Sequence, residues 1–164
     1  MRGASVRRGN STACAVGARL EPAHVNLVAV FQYFIGNTDY SLQGRMRGRE
    51  CCHNAKVFDV GGELLSVPYD FDYSGLVNAD YAGANPIVNL TNVRQRSYLG
   101  SCIERAILES SVSRLAPLQS ELATLAEESG LGGGQVRRVL RYLEGPLAQS
   151  PERLVARLER ACRK

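Results

Sequence analysis

The spacing of apolar residues divides the chain into two parts, of which only the second is helical throughout. In the first part, most of residues 25–35 are apolar, and their helical spacing predicts a helix that is buried on several sides. Pro22 suits the start of this helix, and Gly36 suits its end.

Two strand-like stretches follow, at residues 55–60 and 63–69. They flank Gly61-Gly62, and glycines between two short apolar stretches predict a β-hairpin with a tight turn. Residues 74–92 are rich in Gly and Asn and contain Pro86, so we expect a long loop there. Loops of this length without secondary structure of their own are commonly functional.

From Cys102 onward, apolar residues recur at helical spacing in four groups, which predicts about four helices whose apolar stripes face a core. The groups are Ile103, Ala106 and Ile107; Leu118, Leu122, Leu125 and Ala126; Val136, Val139, Leu140 and Leu143; and Leu154, Val155, Leu158 and Ala161. The glycines at 130–134 separate the second helix from the third, Gly145-Pro146 ends the third, and Ser150-Pro151 caps the fourth. The predicted fold class is therefore α+β and mainly helical.

Composition narrows the function classes. The chain has 164 residues, 45% of them apolar, which suits one globular domain. Its 20 basic and 16 acidic residues give a net charge of +4, and acids interleave the basic residues of the C-terminal helices, so we expect no nucleic-acid partner. No apolar stretch is long enough for a membrane span, and we predict no signal peptide. Residues 1–21 are small, basic and without periodicity, and we predict a disordered or non-domain segment there.

Acid and amide residues follow the predicted helix and border the predicted hairpin. They are Asp39, Asn54, Asp70 and Asp72. In phosphoryl-transfer sites one Asp orients or deprotonates the attacking hydroxyl, while an Asn and another Asp hold Mg²⁺ against the nucleotide phosphates. A hairpin closing at Gly61-Gly62 would bring Asn54 and Asp70 side by side. In an extended strand, Asp70 and Asp72 would face the same side, and their repulsion favours a cation between them.

A purely structural interpretation stays open for each of these residues. Asp and Asn are common in turns, where their side chains satisfy nearby backbone groups. On this interpretation, Asp72 caps a turn at Ser74-Gly75 and the other three residues belong to ordinary loops.

Longer segments resemble a known group of proteins. The segments are FQYFIGNTDYS at 31–41, His53-Asn54, VPYDFDYSGLVNA at 67–79, Tyr81-Ala82 and VRQRSY at 93–98. They resemble a group of bacterial proteins that is similar to the spore-coat protein H type of atypical kinase and, more distantly, to HipA-type kinases. By this resemblance Asp39 matches the catalytic-loop Asp, Asn54 the metal-binding Asn, and Asp70 the metal-binding Asp of an Asp-Phe-Gly type motif. This chain has Asp72 where protein kinases have Gly.

The resemblance implies Mg²⁺- and ATP-dependent transfer of phosphate to a hydroxyl group of a protein or a small molecule. It implies that residues 22–164 are a truncated, kinase-like C-terminal lobe, because no Gly-rich phosphate loop or strand lysine precedes the site. We therefore expect little kinase activity from this chain alone. Two alternatives remain: a pseudokinase or other non-catalytic binding fragment, and a Mg²⁺-dependent phosphohydrolase.

The resemblance also bears on the five cysteines at positions 14, 51, 52, 102 and 162. It implies export for full-length relatives, and in an exported protein Cys102 would pair with Cys51 or Cys52. The alternative is five buried thiols, and the sequence leaves both open. The sequence contains no Cys-x-x-Cys motif, so it gives no indication of a structural zinc site.

Overall fold

The computed structural model describes residues 6–8, 20–42 and 52–162 and has a mainly helical α+β architecture. Three strands form an antiparallel sheet in the order β1 (Val6–Arg8), β2 (Ala55–Val60), β3 (Glu63–Pro68). The described residues form five α-helices: α1 (Pro22–Ile35), α2 (Arg105–Leu115), α3 (Gln119–Glu128), α4 (Gly133–Leu147) and α5 (Pro151–Ala161). The predicted fold class is confirmed.

Helix α1 is the centre of the fold and begins and ends where the sequence predicts. The carboxylate of Glu21 accepts hydrogen bonds from the backbone N–H groups of Ala23 and His24, which caps the helix. Gly36 ends it in the left-handed conformation, at φ 65°. The helix packs against α2 and β3, and α2 in turn packs against α5. The main apolar core joins these helices: Ala29, Val30, Tyr33, Phe34, Tyr98, Leu108, Val112, Leu154, Val155 and Leu158.

The predicted hairpin is confirmed. Ala55 pairs with Pro68 and Val60 with Glu63, so β2 and β3 are in register over six residues each. Gly61 and Gly62 turn the chain at φ 68° and 93°, where a side chain would be strained. The open end of the hairpin therefore carries Asn54 on one side and the segment after Pro68 on the other.

Several predictions for the helical part need correction. The stripe of α3 does not face the core, because Leu118, Leu122 and Leu125 are exposed and only Ala126 is buried. Helix α4 continues through Gly145 and Pro146, since a proline in the last turn leaves the earlier hydrogen bonds intact.

The first predicted apolar stripe also differs from the structure. Ile103 lies before α2 begins, Ala106 is exposed, and the buried apolar residues of α2 are Leu108 and Val112. None of the helices in the described ranges is long and apolar enough to span a membrane.

The N-terminal segment and the cysteine pairing also differ from expectation. Val6–Arg8 forms strand β1 and Leu20 makes a bridge to Leu64, whereas residues 1–5 and 9–19 lie outside the described residues. Cys102 forms a disulfide with Cys162, which corrects the predicted pairing with residue 51 or 52. The physical reason is that α5, which Cys162 follows, packs against α2, which begins just after Cys102. Cys14 and Cys51 lie outside the described residues.

Candidate functional site

Asp39 lies four residues after Ile35, the last residue of α1, on a segment held by backbone hydrogen bonds. Asn37 forms an isolated antiparallel bridge with Ser74, and the N–H of Gly75 donates to the carbonyl of Gly36. The side-chain oxygen of Asn37 accepts a hydrogen bond from the N–H of Asp39 at 2.8 Å. The end of α1 and the segment at 74–75 are therefore fixed against each other, and Asp39 follows directly.

Asn54 is joined to Asp39 by its side-chain amide. The Nδ2 group donates to the backbone oxygen of Asp39 at 2.8 Å and to its carboxylate Oδ2 at 3.1 Å, and Asn54 is buried. The Nε2 atom of His53 lies 3.5 Å from the other carboxylate oxygen of Asp39. An amide has one nitrogen and one oxygen, so this contact orients Asn54 through its nitrogen and leaves its oxygen as a possible metal ligand.

The hairpin places Asn54 beside the segment of Asp70. The N–H of Tyr69 donates to the carbonyl of Asn54 at 3.0 Å, so Asp70 is one residue from the point where the two segments meet. Asp39, His53, Asn54 and Asp70 therefore belong to one end of the hairpin. The backbone bond brings the two segments together, and a distance between the side-chain oxygens of Asn54 and Asp70 short enough to share one ion stays a prediction.

Asp70 and Asp72 come together by a route other than the one predicted. Strand β3 ends at Pro68 and Asp70 has φ 61°, so the two acids do not alternate along an extended strand. Their carboxyl groups are nevertheless hydrogen-bonded to each other. That bond, followed by loss of hydration, raises the pKa of Asp70. The same bond lowers the pKa of Asp72, and loss of hydration only partly opposes this. The two carboxyl groups therefore influence each other's protonation.

Asp72 has further partners in its own loop, and they are Tyr73 and Tyr81 rather than the predicted turn at Ser74-Gly75. Its Oδ1 accepts a hydrogen bond from the N–H of Tyr73 at 2.9 Å, and its Oδ2 accepts one from the hydroxyl of Tyr81 at 3.0 Å. The bond to Asp72 raises the pKa of Tyr81. Asp72 therefore organises its own loop, and it is paired with Asp70 as well.

Left-handed backbone is concentrated at this site. Among the described residues, five that are not glycine have positive φ, and three of them are Cys52 at 66°, Asn54 at 54° and Asp70 at 61°. Each such residue costs about 1–2 kcal/mol relative to a right-handed conformation. Strain of this kind persists where surrounding contacts determine the backbone, and it is common at functional sites.

Sequence reasoning did not include Lys56 or Tyr81 in the site. The ammonium group of Lys56 lies 5.0 Å from the centre of the Tyr69 ring, beside the bond between Tyr69 and Asn54. Lys56 lies near the start of β2, only two residues after Asn54, and this closeness in sequence is a signal that could have indicated it. Tyr81 is nine residues from Asp72 within an irregular loop, and no periodic pattern predicts that contact.

The donors present are of the kind that Mg²⁺ accepts. In the part of the chain that the structure describes, no three His, Cys, Asp or Glu side chains are grouped to hold a metal ion. Magnesium in nucleotide sites typically takes one or two carboxylates, with water and substrate phosphates as the other ligands. The acid pair Asp70 and Asp72 and the amide oxygen of Asn54 fit that description by type and number.

Comparisons with known protein families, with curated proteins and with solved structures find no significant match to this chain.

Proposed function

We propose that this chain carries the metal-binding and base groups of a phosphoryl-transfer site that uses Mg²⁺ and ATP and transfers phosphate to a hydroxyl group. The observation that carries the proposal is the side chain of Asn54, which bonds both the carbonyl and the carboxylate of Asp39 at the end of the hairpin where Asp70 begins. An ordinary turn residue satisfies its own backbone, whereas this side chain joins two segments that are 15 positions apart in sequence.

Each residue has a role in the proposal. Asn54, Asp70 and Asp72 would hold Mg²⁺, which supplies positive charge against the phosphate oxygens of the nucleotide. The carboxylate of Asp39 accepts the proton of the acceptor hydroxyl. The acceptor oxygen then bonds to the γ-phosphorus, the bond from that phosphorus to the β–γ bridging oxygen breaks, and ADP leaves with the electron pair. Asn54 and His53 hold the Asp39 carboxylate in position through the contacts described above.

Thermal melts with Mg²⁺ and ATP test the proposal. We expect the two together to raise the melting temperature, because a ligand that binds only the folded state stabilises it. Asp70→Asn should remove this shift. Asp39→Asn should keep it and lose any phosphate transfer. As a matched control, Asp59→Asn makes the same change in the hairpin, where Asp59 accepts a bond from the N–H of Gly62, and should behave like the parent chain.

The alternatives give different results in the same experiment. ATP binding that depends on Asp70 with no phosphate transfer favours a pseudokinase or other non-catalytic binding fragment. Release of inorganic phosphate without an acceptor favours a phosphohydrolase. A shift that survives Asp70→Asn and Asp72→Ala contradicts the proposed metal site.

A further inference from the structure

A group of arginines lies where α4 meets the segment at 93–98. Arg94, Arg96, Arg138 and Arg141, together with Tyr142 and Gly145, line an open cavity of about 270 Å³. The guanidinium of Arg96 lies 3.7 Å from the centre of the Tyr142 ring, and that of Arg94 lies 4.8 Å from it. Four arginines thus line one cavity, and the guanidinium groups of two of them lie over the Tyr142 ring.

These positive charges have no acidic partner within the described part of the chain. Arg96 donates to the carbonyls of Phe34 and Tyr142, and Arg94 donates to the carbonyl of Gly75. Carbonyl oxygens satisfy hydrogen bonds but do not neutralise charge. Among the residues that the structure describes, none of the four forms an ion pair with Asp or Glu, in contrast to Arg105, which binds both Glu109 and Glu159.

The positive charges of these arginines repel one another, so their close arrangement needs a physical explanation. Loss of hydration lowers the pKa of Arg96, and the neighbouring charges of Arg94 and Arg157 lower it further. Guanidinium groups bind carboxylates through paired hydrogen bonds, and such pairs are strong when the geometry is fixed. Stacking on Tyr142 fixes the geometry of Arg94 and Arg96 before any ligand arrives.

A second cavity, of about 590 Å³, adjoins the first and shares Arg94 and Arg138 with it. Its other lining residues are Leu76, Val77, Asn78, Asp80, Leu131, Gln135 and Val139. Val77 and Leu131 are large apolar side chains that are 54% and 42% exposed. This cavity therefore offers apolar surface and side-chain amides next to the arginines, and a negative charge at Asp80.

We propose that the two cavities bind an acidic polypeptide segment, with its carboxylates at Arg94, Arg138 and Arg141 and an apolar side chain near Leu131 and Val139. The chemistry of the lining favours a peptide over a nucleic acid. The Tyr142 ring is covered by two guanidinium groups and is buried, so it offers no face on which a base could stack. Asp80 would repel a continuous phosphate backbone, whereas a peptide alternates charged and apolar groups.

Fluorescence anisotropy with a labelled peptide of six glutamates and two leucines tests this proposal. We expect saturable binding that weakens with salt, and at least tenfold weaker binding by Arg138→Gln/Arg141→Gln. The matched control is Arg114→Gln/Arg160→Gln, which removes the same charge from exposed positions on α2 and α5, and it should bind within twofold of the parent chain. Circular dichroism checks that each variant is folded. Replacing the leucines of the peptide by serines should weaken binding several-fold.

Three results would overturn the proposal. An equal loss of affinity in both double variants would mean that peptide binding depends only on the net charge of the protein. If the serine peptide bound as tightly as the leucine peptide, the apolar residues of the cavity would not contribute to binding. Tighter binding of a single-stranded oligonucleotide or of anionic lipid vesicles, with the same dependence on Arg138 and Arg141, would assign the surface to another class of partner.

Discussion

At the scale of single residues, the candidate site is defined by side chains that join separate segments. Asp39 and Asn54 were predicted from the sequence, because acids and amides that follow apolar elements are the residue types of phosphoryl-transfer sites. The contacts between them could not be predicted, since they depend on how the chain from α1 returns to β2. Tyr81 was missed for the same reason, because its contact with Asp72 forms within an irregular loop.

The interaction between Asp70 and Asp72 leads to a prediction about pH. Asp72→Ala should return the pKa of Asp70 from its raised value toward the ordinary value of an aspartate, because the hydrogen bond from Asp72 is the main cause of the shift. In the parent chain, Mg²⁺ should bind more weakly as the pH falls through the raised pKa, since proton and ion compete for the same carboxylates. Carbon-13 NMR of the carboxyl groups measures both effects. A pKa for Asp70 that is the same in parent and variant would show that the two acids do not interact.

The left-handed backbone of Asp70 leads to a second prediction, on stability. Asp70→Gly should be more stable than Asp70→Ala by about 1 kcal/mol, because glycine adopts positive φ without strain. Asp72 has no positive φ, so there the order should reverse and Asp72→Ala should be the more stable of its pair. Urea unfolding of the four variants gives the free energies of unfolding. The same order at both positions would contradict the backbone assigned to Asp70.

At the scale of secondary-structure elements, the sequence predicts what depends on local chemistry. The bounds of α1 and the turn of the hairpin follow from Pro22, Gly36 and the glycine pair and are confirmed, although the second strand ends at Pro68, one residue earlier than predicted. The burial of α3 was predicted wrongly, because a helical stripe shows which side of a helix is apolar but not whether another element covers it. The pairing of Cys102 with Cys162 also depends on a contact between helices, which the spacing of cysteines does not specify.

The disulfide between Cys102 and Cys162 should stabilise the contact between α2 and α5. Its loop of 60 residues predicts that Cys102→Ser/Cys162→Ser lowers the free energy of unfolding by about 4 kcal/mol, mainly by freeing the unfolded chain. Urea unfolding measures the loss. Adding a reducing agent should destabilise the parent chain and leave the double variant unchanged. Equal stability of the parent and the double variant would mean that the bond does not form.

Tyr142 links α4 to the two segments that lead into the site. Its hydroxyl donates to the carbonyl of Arg94 at 3.1 Å, and a methyl group added at Gly75 would lie 2.2 Å from the hydroxyl oxygen. Gly75→Ala should therefore destabilise the fold by about 1–3 kcal/mol through overpacking. Tyr142→Phe should cost about 1 kcal/mol for the lost hydrogen bond.

A double-mutant cycle tests whether these two positions are coupled. Gly75→Ala combined with Tyr142→Phe should cost less than the sum of the two single changes, because removal of the hydroxyl relieves part of the clash. Thermal or urea unfolding of the four chains gives the coupling energy. Strict additivity would show that Tyr142 does not pack against Gly75.

At the scale of the whole molecule, the acids of the candidate site and the arginines of the cavity belong to different elements of one fold. The acids lie at the open end of the hairpin, beyond the end of α1, and the arginines lie along α4 and the segment at 93–98. Arg96 connects the two regions, because it donates to the carbonyl of Phe34 in the last turn of α1, two residues before Gly36. A ligand bound by the arginines would therefore be linked, through Arg96 and α1, to the part of the fold that carries the candidate metal site.

The most direct test of the central claim is the position of a divalent ion on this chain. We propose to add Mn²⁺ in place of Mg²⁺, together with a non-hydrolysable ATP analogue, and to map paramagnetic broadening of the NMR signals. We predict the strongest broadening at Asn54, Asp70 and Asp72, and at least tenfold weaker ion binding by Asp70→Asn, with no change for Asp59→Asn. Broadening centred elsewhere, or binding that Asp70→Asn leaves unchanged, would contradict the proposed phosphoryl-transfer site.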